Sequence, residues 1–233
     1  MVVPSKSAAF YPKNPRATKT SAFDPGCRDC PRLATHLDRI RRQHPGYHAR
    51  PVASFGEARA ELLVVGLAPG LHGANRTGRP FTGDHAGILL YKTLHGQGFA
   101  SHEGSADPDD GLKLIGCRVT NAVKCLPPQN KPWPDEVRRC NRYLEHEIAA
   151  VRPRAILALG AIAHRAVLMA LGLSPGKWRF AHHAVHELPQ VRLGARLFDS
   201  YHCSRYNTQT RRLTAAMFEA VIRDIATFLR SAR

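Results

Sequence analysis

The stretch Leu62-Leu63-Val64-Val65-Gly66-Leu67-Ala68-Pro69-Gly70 decides the fold. An unbroken apolar run enters glycine with no polar position to mark a solvent face, which indicates a strand buried on both sides. The small residues that follow impose a tight loop through which backbone can approach a ligand closely. Leu114–Val123, ending at Asn121, and Ala155–Leu159 read as two further core strands, and 181–201 as two short strands joined by a turn. Helices are expected between them: Pro31 to about His44 with Leu33, Leu37 and Ile40 inward, about Asp84–Gly98 with Ile88, Leu89 and Leu94 inward, Pro134–Ala150, and Ala161–Leu171. A closing helix carries Leu213, Met217, Val221, Ile225 and Leu229 every four residues, and 99–111 is an acidic, Gly/Pro-rich surface loop. Such alternation predicts an α/β protein, a three-layer α/β/α sandwich around a central, mostly parallel four-stranded sheet. Ligands bind beyond the C-terminal ends of such strands. Three polar loops fall there: 68–84, 121–131 and 202–206.

The chain has 233 residues, of which 43% are apolar and 22% charged, so wholesale disorder is excluded. Residues 1–22, rich in Pro, Ser, Lys and Thr, read as a flexible basic leader to one domain spanning 23–233. Lys and Arg outnumber Asp and Glu by 34 to 18, for a net charge of +16, which points to a polyanion: nucleic acid first, acidic membrane second. The apolar runs Leu62–Leu71 and Ala155–Ala163 fall short of the about twenty residues that cross a bilayer. With no signal-peptide pattern, the expected location is cytoplasmic, a monomer is the default, and disulfides are not expected.

Six cysteines then need another explanation, and metal leads. Cys27-Arg28-Asp29-Cys30 is a two-point clamp for one centre. Cys117 lies within a predicted strand, where a buried thiol is the plain reading. Cys125 and Cys140 lie on a Pro-rich loop and the helix after it, a pair that folding back brings together. The selected set is Cys27, Cys30, Cys125 and Cys140. Four thiolates suit zinc or an iron–sulfur cluster, and spacing does not choose between them.

Three motifs carry a family resemblance. The first is Gly66-Leu67-Ala68-Pro69-Gly70 continued by His72-Gly73-Ala74-Asn75-Arg76-Thr77-Gly78-Arg79-Pro80-Phe81-Thr82-Gly83-Asp84. The second is Thr120-Asn121-Ala122-Val123-Lys124-Cys125, and the third His202-Cys203-Ser204-Arg205-Tyr206-Asn207-Thr208 with Thr210 and Arg212-Leu213-Thr214. In this order they resemble the motifs of family 5 uracil-DNA glycosylases, from Cys27 to about Thr214; the leader and the 101–111 loop lie outside the match. Leu67 stands where family 4 carries a Glu water activator, as in family 5. Gly70 replaces a usual Ala, and Cys203 a usual Pro. The resemblance implies a 4Fe–4S cluster on the four selected cysteines. It also implies hydrolytic, monofunctional excision of uracil and other deaminated bases, hypoxanthine among them, from double-stranded DNA in base excision repair, and so association with the nucleoid.

Such chemistry needs a donor at the base oxygen, an anion or polarised water near the cationic sugar, and a pocket for the flipped base. Asp84 is the expected sugar-side carboxylate, against the plain reading of a helix N-cap. His202 is the expected donor to the leaving oxygen, though thirteen histidines dilute any one of them. Asn121 offers an acceptor and donors to a pyrimidine edge, against a strand-end turn role. Phe81 is expected to stack on the base, and the backbone of Gly66, Leu67, Ala68, Pro69 and Gly70 to add fixed donors. Ser204 and Arg205 are expected against phosphate, with Arg205 or Tyr206 filling the vacated stack. Lys124, Lys131, Arg138, Arg139, Arg211 and Arg212 are expected to form a phosphate-tracking face. Three readings compete: a family 4-like, uracil-restricted enzyme, a non-catalytic cluster-containing nucleic-acid-binding protein, and an electron carrier.

Overall fold

The computed structural model describes residues 22–189 and 191–231. The predicted leader, apart from Ala22, lies outside the described residues. The elements in chain order are α1 (Pro31–Gln43), β1 (Phe55–Gly56), β2 (Leu62–Gly66), α2 (Ala74–Thr77), α3 (His85–Gly96), β3 (Cys117–Asn121), α4 (Pro134–Val151), β4 (Ala155–Leu159), α5 (Ala161–Ala170), β5 (Val185–Glu187), β6 (Arg196–Ser200), α6 (Arg205–Gln209) and α7 (Ala215–Ser231).

One sheet runs β1-β3-β2-β4-β6-β5. The four inner strands are parallel, and β1 and β5 pair antiparallel at the two edges. The expectation of four strands therefore holds for the parallel core and misses the edges. β1 has only two residues, too few for any alternation to show in the sequence.

β2 explains the layering. Its five residues are all buried. Leu62 and Val64 join a cluster with Leu90, Tyr91 and Leu94 of α3 and Phe218, Val221, Ile222 and Ile225 of α7. Leu63 and Val65 join a second cluster on the other face, with Val137 and Leu144 of α4 and Ala163, Val167 and Leu168 of α5. The period-two alternation thus feeds two apolar cores, the driving force for a three-layer arrangement. β2 is followed by β3 on one side and β4 on the other. The strand order reverses there, and right-handed crossovers place α3 on one face and α4 and α5 on the opposite one.

Of the expected inward residues of α3, Leu94 is buried and Leu89 packs half-buried against the core, whereas Ile88 is 65% exposed and Leu90 and Tyr91 face the core. Apolar residues surround that first turn, so helical period alone does not choose its face. Leu213, expected on the closing helix, is buried but precedes α7; the other expected helix faces and the surface position of the acidic loop agree with the structure.

Candidate active site and thiol cavity

The C-terminal ends of the parallel strands lie side by side. Gly66 pairs in register with Asn121, and Leu159 with Ser200. A cavity of about 470 Å³ opens above them, a volume suited to a small ligand. Leu67, Ala68, Gly70, Phe81, Asp84, Asn121, His202, Ser204 and Arg205 line it. Gly66 and Pro69, also expected at the site, are not among the lining residues. Gly66 has a spatial role instead, because a Cβ there would overlap Asn121 Oδ1 and Phe81 Cζ. Its missing side chain lets those two groups close over the end of β2.

Asp84 caps α3. Its Oδ1 accepts a hydrogen bond from Gly87 N at 2.9 Å, an ordinary N-cap contact. A Cβ on Gly73 would overlap Oδ2, while one on Gly70 would stand 3.6 Å from it. Burial raises the Asp84 pKa, and the backbone amides of Gly87 and Ala86 oppose that rise. Oδ1 thus serves the cap, while Oδ2 lies over Gly70 and Gly73.

His202 stacks on Phe81 with ring centroids 5.9 Å apart and planes 26° from parallel. Burial lowers the imidazole pKa to about 4, so the ring is neutral at physiological pH. His202 Nδ1 and Asn121 Oδ1 are both buried and have no hydrogen-bond partner among the described residues. Buried polar atoms are ordinarily satisfied, so two such atoms lining one cavity mark a place where a ligand supplies the partners.

Sequence reading missed the fourth strand end. Gly160, Ala161 and Ile162, directly after β4, complete the wall, as do Ala74, His85, Ala86 and Asn130. The strand-end rule applied to Ala155–Leu159 would have found the first three. Asn130 is brought over the cavity by a turn in which Gln129 and Asn130 both take positive φ, 56° and 57°.

Ser204 caps α6, accepting from Asn207 N at 3.4 Å, and Arg205 and Tyr206 stand exposed beyond it. Lys131, Arg211 and Arg212 are exposed as expected of a phosphate face. Lys124 is not part of it. It is 3% exposed, bonded to Thr120 and 3.2 Å from Glu147 Oε2, because a buried ammonium must be paired. Arg138 pairs with Asp135, and Arg139 donates to Asp29 O at 2.9 Å.

A second, smaller cavity is lined by Cys27, Cys30, Cys125 and Cys140, brought from the turn before α1, the loop after β3 and α4. Lys124 N–H donates to Cys140 Sγ at 3.3 Å, the contact expected of a thiolate or ligating sulfur. Burial pushes the Cys30 thiol up to about 11, and the neighbouring Cys140 reinforces this; burial and Cys140 push Cys125 up as well. Four thiols on one cavity fit a thiolate-bound metal centre, whose cation would offset the charge of its ligands. Among the described residues, only His164, His186 and Asp199 bring three possible ligand atoms within 4.8 Å of one another. Cys117 and Cys203 are buried elsewhere, in the cluster that faces α3 and α7.

No helix among the described residues is long and apolar enough to cross a membrane. A family model described as the uracil DNA glycosylase superfamily matches residues 53–226. A type-5 uracil-DNA glycosylase of Thermus thermophilus is 47% identical over 204 residues, covering 85% of this chain and 91% of that protein. One of Pyrobaculum aerophilum is 41% identical, covering 86% and 88%. A type-4 uracil-DNA glycosylase of Pyrobaculum aerophilum is 35% identical over 127 residues, 54% of this chain and 57% of that protein. With this coverage, and with the matched motifs converging on one cavity at the strand ends, the chain belongs to the uracil-DNA glycosylase superfamily, in its type-5 branch.

Proposed function

We propose that the protein is a monofunctional DNA glycosylase that hydrolyses the N-glycosidic bond of uracil and of other deaminated bases, hypoxanthine included, in double-stranded DNA, with residues 23–233 acting as one catalytic domain. The observation that carries this reading is the pair of buried, unpartnered atoms, Asn121 Oδ1 and His202 Nδ1, lining one cavity with Asp84. A base turned out of the duplex supplies their partners: an imide N–H for Asn121 Oδ1 and a carbonyl oxygen for a protonated His202 nitrogen. Phe81 offers its ring face to the base, in a geometry already shaped by His202.

In the reaction the bond between C1′ and the base nitrogen breaks, and its electron pair leaves with the base. Negative charge grows on the base oxygen, where neutral His202 donates a hydrogen bond without transferring its proton. Positive charge grows on the sugar, where the Asp84 carboxylate offsets it and orients the attacking water through Oδ2. The water oxygen bonds to C1′, one water proton is released, and the departing base is protonated, leaving an abasic site. Arg205, Arg211, Arg212 and Lys131 neutralise phosphates around the mouth, and Arg205 or Tyr206 fills the vacated stack.

Cys27, Cys30, Cys125 and Cys140 are proposed to hold a 4Fe–4S cluster. Four thiols on one cavity suit such a cluster, and the motif resemblance favours it over zinc. Four protein thiolates leave no open position for substrate, so the group would serve structure. The sulfurs would tie the 125–140 segment, which carries Lys131 and Asn130, to α1.

The deciding experiment incubates the full protein with end-labelled duplexes carrying U:G, U:A or hypoxanthine:T, followed by hot alkali. Alkali-dependent nicking on uracil and hypoxanthine is expected. Nicking on uracil alone overturns the broad range, and duplex binding without nicking overturns the enzyme reading.

A further inference from the structure

We infer that Arg79 and Asp110 are positioning residues for the base pocket, holding the Phe81-Thr82-Gly83-Asp84 loop in its working shape from outside the cavity. The acidic loop that carries Asp110 lies outside the motif resemblance, yet it is bonded to the longest of the three motifs.

Arg79 is 6% exposed, and each of its five N–H groups has an acceptor. Nε donates to Thr82 Oγ1 at 2.8 Å. Nη1 donates to Pro108 O at 3.1 Å and Asp110 Oδ1 at 3.0 Å. Nη2 donates to Ser105 Oγ at 3.0 Å and Asp110 Oδ2 at 2.7 Å. The carboxylate is thus gripped by both ends of the guanidinium, the most directional ion pair that side chains make. The Arg79 hydrogen bonds hold the Asp110 pKa down at about 2, so the clamp stays charged at any working pH.

The clamp reaches the pocket by two short paths. Thr82 Oγ1 lies 2.7 Å from Ser105 Oγ, and Gly83 N–H donates to Ser105 O at 2.8 Å. Between the clamp and Asp84 sits Phe81, whose φ of 53° is in the left-handed region that aromatic residues avoid. Such a conformation persists only where its surroundings over-determine it. Tyr91 Oη, donating to Pro80 O at 2.8 Å, restrains the loop from the α3 side, and the Arg79–Asp110 pair restrains it from the acidic loop. Released on that side, the loop relaxes toward ordinary φ, and the Phe81 ring leaves its stack on His202.

The inference rests on the proposal that Phe81 stacks on the flipped base. It is tested with full-length, cluster-loaded protein on a uracil duplex, by measuring kcat and KM for Asp110→Asn and Phe81→Ala singly and combined. Asp110→Asn keeps the volume and one acceptor, and circular dichroism melting of each variant checks that it folds. The expected result is a loss of about tenfold in kcat for Asp110→Asn with KM little changed, and no further loss when it is added to Phe81→Ala. Arg79→Lys, which keeps the charge but not the fork, is expected to match Asp110→Asn. An unchanged kcat for Asp110→Asn overturns the inference, as does the same loss in both backgrounds. A silent Phe81→Ala removes the stacking proposal itself, and either result for Asp110→Asn then overturns the positioning role with it.

Discussion

His164 Nδ1 and Asp199 Oδ1 lie 2.8 Å apart in the interior, at 1% and 0% side-chain exposure. The other ring nitrogen, Nε2, faces Trp178 O at 3.0 Å. Both ring nitrogens thus face oxygens, an arrangement that favours the doubly protonated ring. Burial opposes that charge, but the Asp199 carboxylate and the Trp178 carbonyl outweigh it, and the His164 pKa is raised. A raised histidine contributes stability that is fully present below its unfolded value of about 6.5 and is lost as pH rises through the folded value. Thermal melting is expected to fall more steeply in the wild type than in His164→Gln as pH rises above the unfolded value of about 6.5. Equal slopes would show that the ring is neutral.

Asp84→Asn separates capping from chemistry. Asn caps as well as Asp, so the melting temperature should hold, with stability changing by less than about 1 kcal/mol. Base release should fall by about 100-fold or more, because Asn neither offsets sugar charge nor orients water as a carboxylate does. Undiminished release from Asp84→Asn would remove Asp84 from the chemistry.

His202 should be silent in the physiological range. Its pKa near 4 makes the ring neutral above about pH 5. The rate should therefore show no histidine-like step near pH 6.5, and should decline only as pH approaches the folded value from above. The same depression costs stability as pH falls from the unfolded value through the folded one. A rate step near pH 6.5 that His202→Gln abolishes would contradict the assignment.

Two glycines on one loop should respond oppositely. Gly73→Ala drives a methyl into Asp84 Oδ2 and should cost activity well beyond its effect on melting. Gly70→Ala meets the same oxygen at 3.6 Å, an ordinary contact, and should be tolerated. Steady-state rates on a uracil duplex decide both.

Cys125→Ser should remove the proposed cluster and loosen the 125–140 segment. Iron and acid-labile sulfide in equal amounts in the wild type, both lost in the variant together with much of the duplex affinity, are the expected findings. Zinc in place of iron would instead select the other thiolate centre. Retained fold and affinity without metal would refute the tether.

The core was readable from the sequence because its signal is local. The run from Leu62 to Gly66 announces a doubly buried strand, and the glycine that ends it marks where the site begins. Asn121 and His202 fall at the ends of β3 and β6 and Asp84 at the start of α3, where the sequence places them, but it is the motif resemblance that singles them out. What stayed hidden depends on partners distant in the chain. Lys124 looks like a surface lysine until Glu147 and Thr120 fold around it. The acidic loop looks like solvent-facing filler until Asp110 meets Arg79. Neither relationship has a periodicity or spacing to reveal it, and each exists only after the sheet has assembled.

The cavity wall takes a piece from the end of every parallel strand, and β6 is the last of these to be synthesised. A nascent chain that has completed β4 already displays Asp84, Phe81 and Asn121, yet it lacks His202 and the arginine-bearing turn beyond it. Pairing β6 against β4 is a long-range event, the kind that comes late in folding. If His202 acts as proposed, base-excising capacity arises only once β6 and the turn beyond it have joined the sheet, so an unfinished chain is held inactive by topology.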